Sequence, residues 1–260
     1  MSAKKKMTFS ISTWFCLPEQ GMMDMEILCR SSAFAVKSAS DKFPSNLHFI
    51  TTSHNIAPWR FRNHYPEEWL QMINEKNTFY TIEARQPDGN FMSQSELLPS
   101  SFHHRSRDLA VLHLERNHDE LFDKLELFPH ILSDRILKTG DVLTFDGFNV
   151  SERMETSEYG GADLDSRRPV PAIVSGTFVS ESMFRRYAKS AAPLSLSMSG
   201  APVLCKPMKP IEVKSGRSAA SIGGDRLEVC GMMENMIPGD WEEESLRGLA
   251  AFVDADTIAE

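Results

Sequence analysis

Three short segments of the sequence each place a residue that could take part in nucleophilic catalysis beside an apolar run. His54 directly follows the run ITTS, Asp108 directly precedes LAVLHL, and Ser199 is followed by GAPVL. The small residues after Ser199 allow a tight backbone bend and leave room for a substrate carbonyl beside the hydroxyl. Each segment alone is equally typical of an ordinary strand end, turn or loop. A serine nucleophile needs a histidine and an aspartate within hydrogen-bond reach, so the significance lies in finding all three.

The segments that would position these residues are mostly predicted to be β-strands. Short apolar runs rich in β-forming residues alternate with polar or turn-forming residues, whereas the periodicity of amphipathic helices is scarce. One helix is predicted over residues 66–77, where proline and acidic residues open the segment. Regularly spaced short strands favour an all-β sandwich or barrel. The predicted strands lie at residues 32–37, 47–52, 78–84, 109–114, 141–145, 172–179, 201–205, 227–232 and 249–253.

In the order histidine, aspartate, serine, the three segments resemble the motifs of the trypsin-like (chymotrypsin-fold) serine peptidases, including the HtrA-like branch. TTSHN resembles the histidine motif of that family, RDLAVLHL the aspartate motif and SMSGAPVL the serine motif. The separations of 54 and 91 residues between the three also suit the family. Three further segments agree with it, namely LKTGDV at 137–142, VSGTFV at 174–179 and AAFVDADTI at 250–258.

The resemblance implies an all-β fold of two six-stranded antiparallel β-barrels of the chymotrypsin type, with the active site between them. It divides the chain into an N-terminal extension at 1–29, a first barrel at 30–132 and a second barrel at 133–260. The first barrel would carry His54 and Asp108, and the second would carry Ser199. In the catalytic triad so implied, Ser199 is the nucleophile, His54 transfers its proton, and Asp108 orients the imidazole.

The resemblance also assigns an oxyanion hole to the backbone N–H groups of Ser197 and Ser199. The family usually has glycine at the position of Ser197, because glycine readily adopts the positive φ that turns its N–H into the hole. A serine adopts that conformation only at a cost of about 1–2 kcal/mol. The hole is therefore expected to be malformed in the resting state.

A specificity pocket follows from the same resemblance. Pro193, six residues before Ser199, takes the position of the pocket base, where an aspartate would be needed for cleavage after lysine or arginine. Met232 and Met233 are predicted to lie near the pocket wall, where they would suit an apolar side chain. The alternative interpretation is that these two methionines are ordinary core residues.

Composition limits what else the chain could bind. Its 260 residues carry a net charge of −8 and give a pI near 5.5, whereas nucleic-acid binding needs a basic surface. No apolar run is long enough to span a membrane. Neither the histidines nor the four cysteines show metal-site spacing, so no metal and no cofactor is expected. Cysteines without a disulfide framework favour an intracellular, reducing compartment such as the cytoplasm.

The sequence leaves two functions open. The full set of triad residue types favours a serine endopeptidase, a hydrolase that cleaves polypeptide substrates through an acyl-enzyme intermediate. The serine at position 197 and the lack of an obvious processing signal favour instead a noncatalytic protease-fold scaffold, or a subunit of an assembly. A protein partner or an oligomer is compatible with either function.

Overall fold

The computed structural model describes residues 5–6, 8–37, 47–62, 65–86, 88–97, 102–113, 127–150, 169–207 and 227–260. Most of these residues lie in β-strands, which form a seven-stranded sheet, a closed barrel and a two-stranded pair. The sequence also predicts a turn at residues 160–161 and an exposed polar loop over residues 206–226 between two strands of the second unit. The turn and most of the loop lie outside the described residues.

The first sheet is antiparallel and consists of seven strands in the order β6-β5-β2-β3-β4-β8-β7. A separate parallel pair joins β1 (Lys5–Lys6) to β9 (Leu127–Phe128). The seven strands are β2 (Thr8–Phe15), β3 (Glu26–Lys37), β4 (Leu47–Thr51), β5 (Thr78–Arg85), β6 (Phe91–Leu97), β7 (Phe102–His103) and β8 (Ala110–Leu112).

Alternation of residue types gives this sheet two buried faces. On β2, Phe9 and Ile11 point into an apolar cluster that includes Phe49 and Ile82. The alternate positions in the first part of β2 hold small hydroxyl residues that are also buried, namely Thr8, Ser10 and Ser12. Since successive strand residues point to opposite faces, the small hydroxyl residues line the second face. There the sheet contacts the second unit through β2 and β3.

The second unit is a closed six-stranded antiparallel barrel in the order β10-β11-β12-β15-β14-β13. Its interior is filled by a cluster that contains Leu143, Phe145, Phe178, Val203 and Phe252. The strands are β10 (Val142–Val150), β11 (Pro169–Glu181), β12 (Arg186–Ser190), β13 (Pro202–Cys205), β14 (Glu228–Met236) and β15 (Ala250–Asp254). Helix α1 (Ser53–Ile56) follows β4, and α2 (Ala255–Ala259) follows β15.

An apolar layer holds the two units together. Phe34 and Ile50 from the first sheet pack in one cluster with Val229, Met232 and Val253 from the barrel. The cluster is almost fully buried, so opening the two units would expose apolar surface to water at a cost of about 25 cal/mol per Å². This shared apolar cluster fixes the position of the first sheet relative to the barrel.

The prediction of an all-β, chymotrypsin-type fold of two β units is confirmed. The second unit is the predicted closed six-stranded barrel, and the first is a sheet of seven strands where six were predicted. Each of the nine predicted strands overlaps an observed strand. The prediction of an α-helix over residues 66–77 is wrong, since the helical part of that segment is a short 3₁₀ helix at Glu68–Met72. Strand β2 lies within the range 1–29, yet it pairs with β3 and β5 inside the first sheet. The first unit therefore begins before residue 30, while the boundary at residues 132 and 133 stays a prediction.

Among the residues that the structure describes, no helix has the length and apolar character needed to cross a bilayer.

Candidate active site

His54 and Asp108 meet at one end of the first sheet. His54 lies in α1, which begins two residues after the end of β4, and Asp108 lies two residues before β8, the strand that pairs with β4. The imidazole Nδ1 lies 2.5 Å from Asp108 Oδ2, and the backbone N–H of His54 donates to Asp108 Oδ1 at 2.9 Å. One carboxylate thus holds both the ring and the backbone of the histidine. Because Nδ1 faces the carboxylate, it carries the proton, and Nε2 is the nitrogen able to accept one.

The histidine segment is fixed by contacts on both sides. Ser53 Oγ donates to the backbone carbonyl of Leu109 at 2.9 Å, which joins the histidine segment to the aspartate segment. The rings of Phe61 and Tyr65 flank the imidazole, with centroid distances of 6.1 and 6.3 Å. The side chains of His54 and Asp108 are only 13% and 15% exposed to solvent. This shielding from water strengthens the electrostatic interaction between the imidazole and the carboxylate.

Ser199 comes from the second unit and is anchored to the first. It follows a 3₁₀ helix at Leu196–Met198 and precedes Gly200, which has a φ of +85°. The carbonyl oxygen of Ser199 accepts from the backbone N–H of Ser32 at 3.1 Å and from Asn55 Nδ2 at 3.2 Å. Since Asn55 directly follows His54, these bonds bring the serine segment to the histidine segment.

The hydroxyl of Ser199 has a specific partner in this conformation. Ser199 Oγ donates to the backbone carbonyl of Glu234 on β14 at 2.8 Å. Deprotonation by the imidazole requires this hydrogen bond to break first. The three predicted triad residues thus occupy neighbouring segments, and their assignment as a working triad stays a prediction.

The two N–H groups predicted to form the oxyanion hole both have acceptors within their own turn. The N–H of Ser199 donates to the carbonyl oxygen of Leu196 at 3.1 Å. The N–H of Ser197 is directed at Ser195 Oγ at 3.4 Å. A 3₁₀ turn has negative φ, whereas the open hole was expected to need a positive φ at residue 197. In this conformation the turn is closed, and the hole is a prediction about another conformation.

The side chain of Ser197 holds the closed turn in place. Its Oγ donates to the carbonyl of Phe148 at 2.8 Å, accepts from the N–H of Val150 at 2.9 Å and lies 2.7 Å from Ser195 Oγ. The carbonyl of Ser197 accepts from Ser32 Oγ at 2.9 Å. Buried hydrogen bonds of this kind each contribute roughly 0.5–1.5 kcal/mol. The closed turn is therefore stabilised by the hydrogen bonds of the Ser197 side chain and carbonyl group.

The residues predicted for the specificity pocket lie in different surroundings. Pro193 is exposed. Met232 is fully buried in the apolar layer between the two units, and Met233 is buried in the barrel interior with Phe252. Both methionines therefore pack as core residues in this conformation, in line with the alternative interpretation of the sequence. The pocket itself stays a prediction.

Glu234 is a buried acid beside the histidine that the sequence analysis missed. Its carboxylate is 2% exposed and accepts from Arg185 Nε at 2.6 Å. Burial raises the pKa of Glu234 above its ordinary value, the Arg185 guanidinium opposes that rise, and Asp108 and His54 act on it electrostatically. An available signal was an acidic residue inside the otherwise apolar run VCGMMENM. The part of the chain that is described contains no group of three or more His, Cys, Asp or Glu side chains arranged to hold a metal.

Comparisons with known proteins bear on the fold. No profile of a known protein family matches the chain, and no curated protein matches it. Among solved structures, it is similar to the scabies mite inactivated protease paralogue S-I1, with 12% identity, a TM-score of 0.51 and coverage of 95% of this chain and 90% of that one. A second similar structure is Rv3671c from M. tuberculosis H37Rv, as a serine-to-alanine mutant in an inactive form. It has 10% identity, a TM-score of 0.47 and coverage of 96% and 82%.

Proposed function

We propose that this chain, which has the trypsin-like chymotrypsin fold, is a serine peptidase that rests in a closed, latent conformation. The observation that carries the proposal is the double contact of Asp108 with the ring and the backbone of His54. Orienting an imidazole with Nδ1 on a carboxylate prepares Nε2 to act as a base toward a serine hydroxyl. Ser199 is the serine whose segment is bonded to the residue that follows His54.

The proposed reaction is hydrolysis of a peptide bond in a polypeptide. Ser199 Oγ forms a bond to the carbonyl carbon, and its proton passes to His54 Nε2. The tetrahedral oxyanion then collapses, the C–N bond breaks, and His54 returns the proton to the leaving amine. Water attacks the acyl-enzyme by the same route and releases the acid. Asp108 keeps the imidazole oriented and stabilises its cationic form throughout.

Three hydrogen bonds of the closed conformation must open before this reaction. Ser199 Oγ must leave the carbonyl of Glu234, the N–H of Ser199 must leave the carbonyl of Leu196, and the N–H of Ser197 must leave Ser195 Oγ. Only then can the N–H groups of residues 197 and 199 stabilise the oxyanion. Each lost donor of an oxyanion hole costs roughly 3–4 kcal/mol of transition-state stabilisation. The resting protein is therefore expected to react slowly.

A fluorophosphonate probe is expected to form a covalent adduct on Ser199, at a lower rate than on an active trypsin-like peptidase. The serine oxygen displaces fluoride from the phosphorus of the probe to form a phosphonate ester, and this reaction is fast only when a neighbouring base such as histidine activates the serine. Intact-mass measurement and peptide mapping would locate the adduct. Ser199→Ala and His54→Ala should both abolish it, while Ser106→Ala, at an exposed serine near Asp108, should leave it unchanged. If folded protein gains no adduct while a control peptidase is labelled, the proposal is contradicted.

The second candidate is a noncatalytic module that keeps the fold for binding or assembly. The observation that favours it is the set of hydrogen bonds made by the Ser197 hydroxyl, which hold the turn closed. For such a module, Ser199→Ala would preserve the biological role, and the probe would not label the protein. Loss of that role in a folded Ser199→Ala protein would exclude this candidate.

A further inference from the structure

The turn between β11 and β12, residues 182–185, lies against the aspartate segment of the first unit and is here called the lip. Met183 and Phe184 at its tip are 84% and 58% exposed. Arg185 leads from this tip into β12 and reaches Glu234 on β14. The guanidinium of Arg107, which directly precedes Asp108, lies 4.5 Å above the centre of the Phe184 ring. The turn of the second unit is thus joined to the aspartate segment of the first.

The two partners of the ion pair between Arg185 and Glu234 differ in their exposure to solvent. The Arg185 side chain keeps 38% of its exposure and the Glu234 side chain only 2%. Arg185 therefore lies between the buried carboxylate and the solvent. Among the described residues, Arg185 forms an ion pair with Glu234, and Arg107 forms no ion pair. The turn and the aspartate segment thus present two guanidinium groups, and in the part of the chain that the structure describes only that of Arg185 is paired with a carboxylate, on a chain whose net charge is −8.

We propose that this lip binds an acidic side chain of a polypeptide ligand, which takes Arg185 from Glu234 and pairs with Arg107 as well. The inference rests on the proposed function in that the bound polypeptide is the substrate. An arginine fork matches a carboxylate in two parallel hydrogen bonds, which suits an aspartate or glutamate side chain. The exposed Met183 and Phe184 would cover the apolar stem of that side chain.

A basic ligand side chain fits the lip less well. To reach the carboxylate of Glu234 it would have to pass Arg185, which covers it, and approach a positively charged surface. Placing like charges together at a contact is unfavourable. An acidic side chain instead meets the exposed guanidinium directly. Because Arg185 is the partner that faces solvent, the lip favours an acidic ligand side chain.

Exchange of the ion pair leaves Glu234 buried without its counter-charge. An unpaired carboxylate in such a site takes up a proton, and burial already raises the pKa of Glu234. The charged groups that act on it are Arg185, Asp108 and His54. Binding of the acidic side chain therefore takes one proton from solvent onto Glu234, while the ligand carboxylate stays ionised. Because the complex holds one more proton than the separate partners, affinity falls as pH rises through the range where free Glu234 is ionised.

The test measures binding in the Ser199→Ala protein, so that cleavage plays no part. Fluorescein-labelled eight-residue peptides would carry one aspartate at each successive position, each with a matched asparagine peptide. Fluorescence anisotropy at two pH values, 5.5 and 8.0, gives the ratio of the two affinities, which cancels pH effects common to both peptides. We expect a preference for aspartate of about tenfold at the lower pH, shrinking at the higher pH. Arg185→Ala should remove the preference, and Arg185→Lys should keep part of it.

The Glu234→Gln variant separates the effect of proton uptake by Glu234 from the effect of charge pairing between the ligand and Arg185. With no carboxylate to protonate, this variant should keep the preference for aspartate and lose its dependence on pH. Circular dichroism checks its fold, and the Arg185 variants, altered at a partly exposed side chain, decide the question if it does not fold. Equal binding of aspartate and asparagine peptides at every position, or a preference that survives Arg185→Ala, would overturn the proposal. Aspartate-selective binding without a probe adduct on Ser199 would uphold the lip and reject the peptidase.

Discussion

Replacing Ser197 by glycine is expected to raise the rate constant for labelling of Ser199 by a fluorophosphonate by about ten- to a hundredfold. One donor of an oxyanion hole is worth about 10²–10³ in rate, and part of that gain is offset by the remaining contacts of the closed turn. The substitution removes every hydrogen bond of the Ser197 hydroxyl, to Phe148, Val150 and Ser195. It also removes the Cβ that opposes a positive φ at this position. Both effects shift the resting turn toward an open hole.

Two matched variants separate these effects. Ser197→Ala removes the hydroxyl but keeps Cβ, so it should raise the labelling rate less than Ser197→Gly does. Ser195→Ala removes the acceptor for the Ser197 N–H while the bonds of Ser197 Oγ to Phe148 and Val150 remain. It should therefore change the rate least. Labelling of the glycine variant at the same rate as the original protein would show that Ser197 does not limit the reaction.

The architecture was largely predictable from the sequence because strand patterns and motif order are local features. Runs such as 78–84 and 172–179 contain enough β-forming residues to be identified without knowledge of their partners, and both are strands. The helix predicted over residues 66–77 failed because Leu70 and Ile73 pack with Phe15 under a short 3₁₀ turn. Tertiary packing overrides a weak local helical preference.

Strand β2 was missed because its sequence reads TFSISTWF. Although a face of hydroxyl residues is what packs against the second unit here, the apolar signal is weakened by Thr8, Ser10 and Ser12. Ser32 on β3 illustrates why small hydroxyl residues are suited to this face. It bonds to Ser197 through its Oγ and to Ser199 through its N–H. Such partners are distant in sequence and leave no local pattern.

The candidate site was predictable in its residues but not in its conformation. The order of His54, Asp108 and Ser199 identified segments that the structure brings together. The atypical serine at 197 lies in the turn that is closed here, and the triad and the oxyanion hole stay predictions. The sequence could not show that the Ser199 hydroxyl is bonded to the carbonyl of Glu234. It also could not show that Glu234 is buried beside the imidazole, since both facts depend on how β14 faces the first sheet.

Gly200→Ala is expected to destabilise the fold by about 3 kcal/mol or more, the larger part of it from a steric clash. Gly200 has a φ of +85°, and an added Cβ would overlap the carbonyl oxygen of Ser32 and lie 2.5 Å from Thr51 Oγ1. Both atoms belong to the first sheet, and Thr51 Oγ1 itself donates to the Ser32 carbonyl at 2.9 Å. Neither can move without disturbing the contact of Ser199 with β3.

Gly140→Ala is the matched control, because Gly140 also has a positive φ, of +94°, but has no atom within 4 Å of an added Cβ. It should cost only the backbone strain, about 1–2 kcal/mol. Thermal unfolding followed by circular dichroism should give Gly200→Ala a midpoint roughly 6–12 °C below the original protein, and Gly140→Ala a smaller decrease. Equal midpoints for the two variants would show that close packing of Gly200 against Ser32 does not hold the serine segment. A larger loss for Gly200→Ala means that the missing side chain at this position is what lets the serine segment pack against Ser32 and Thr51 of the first sheet.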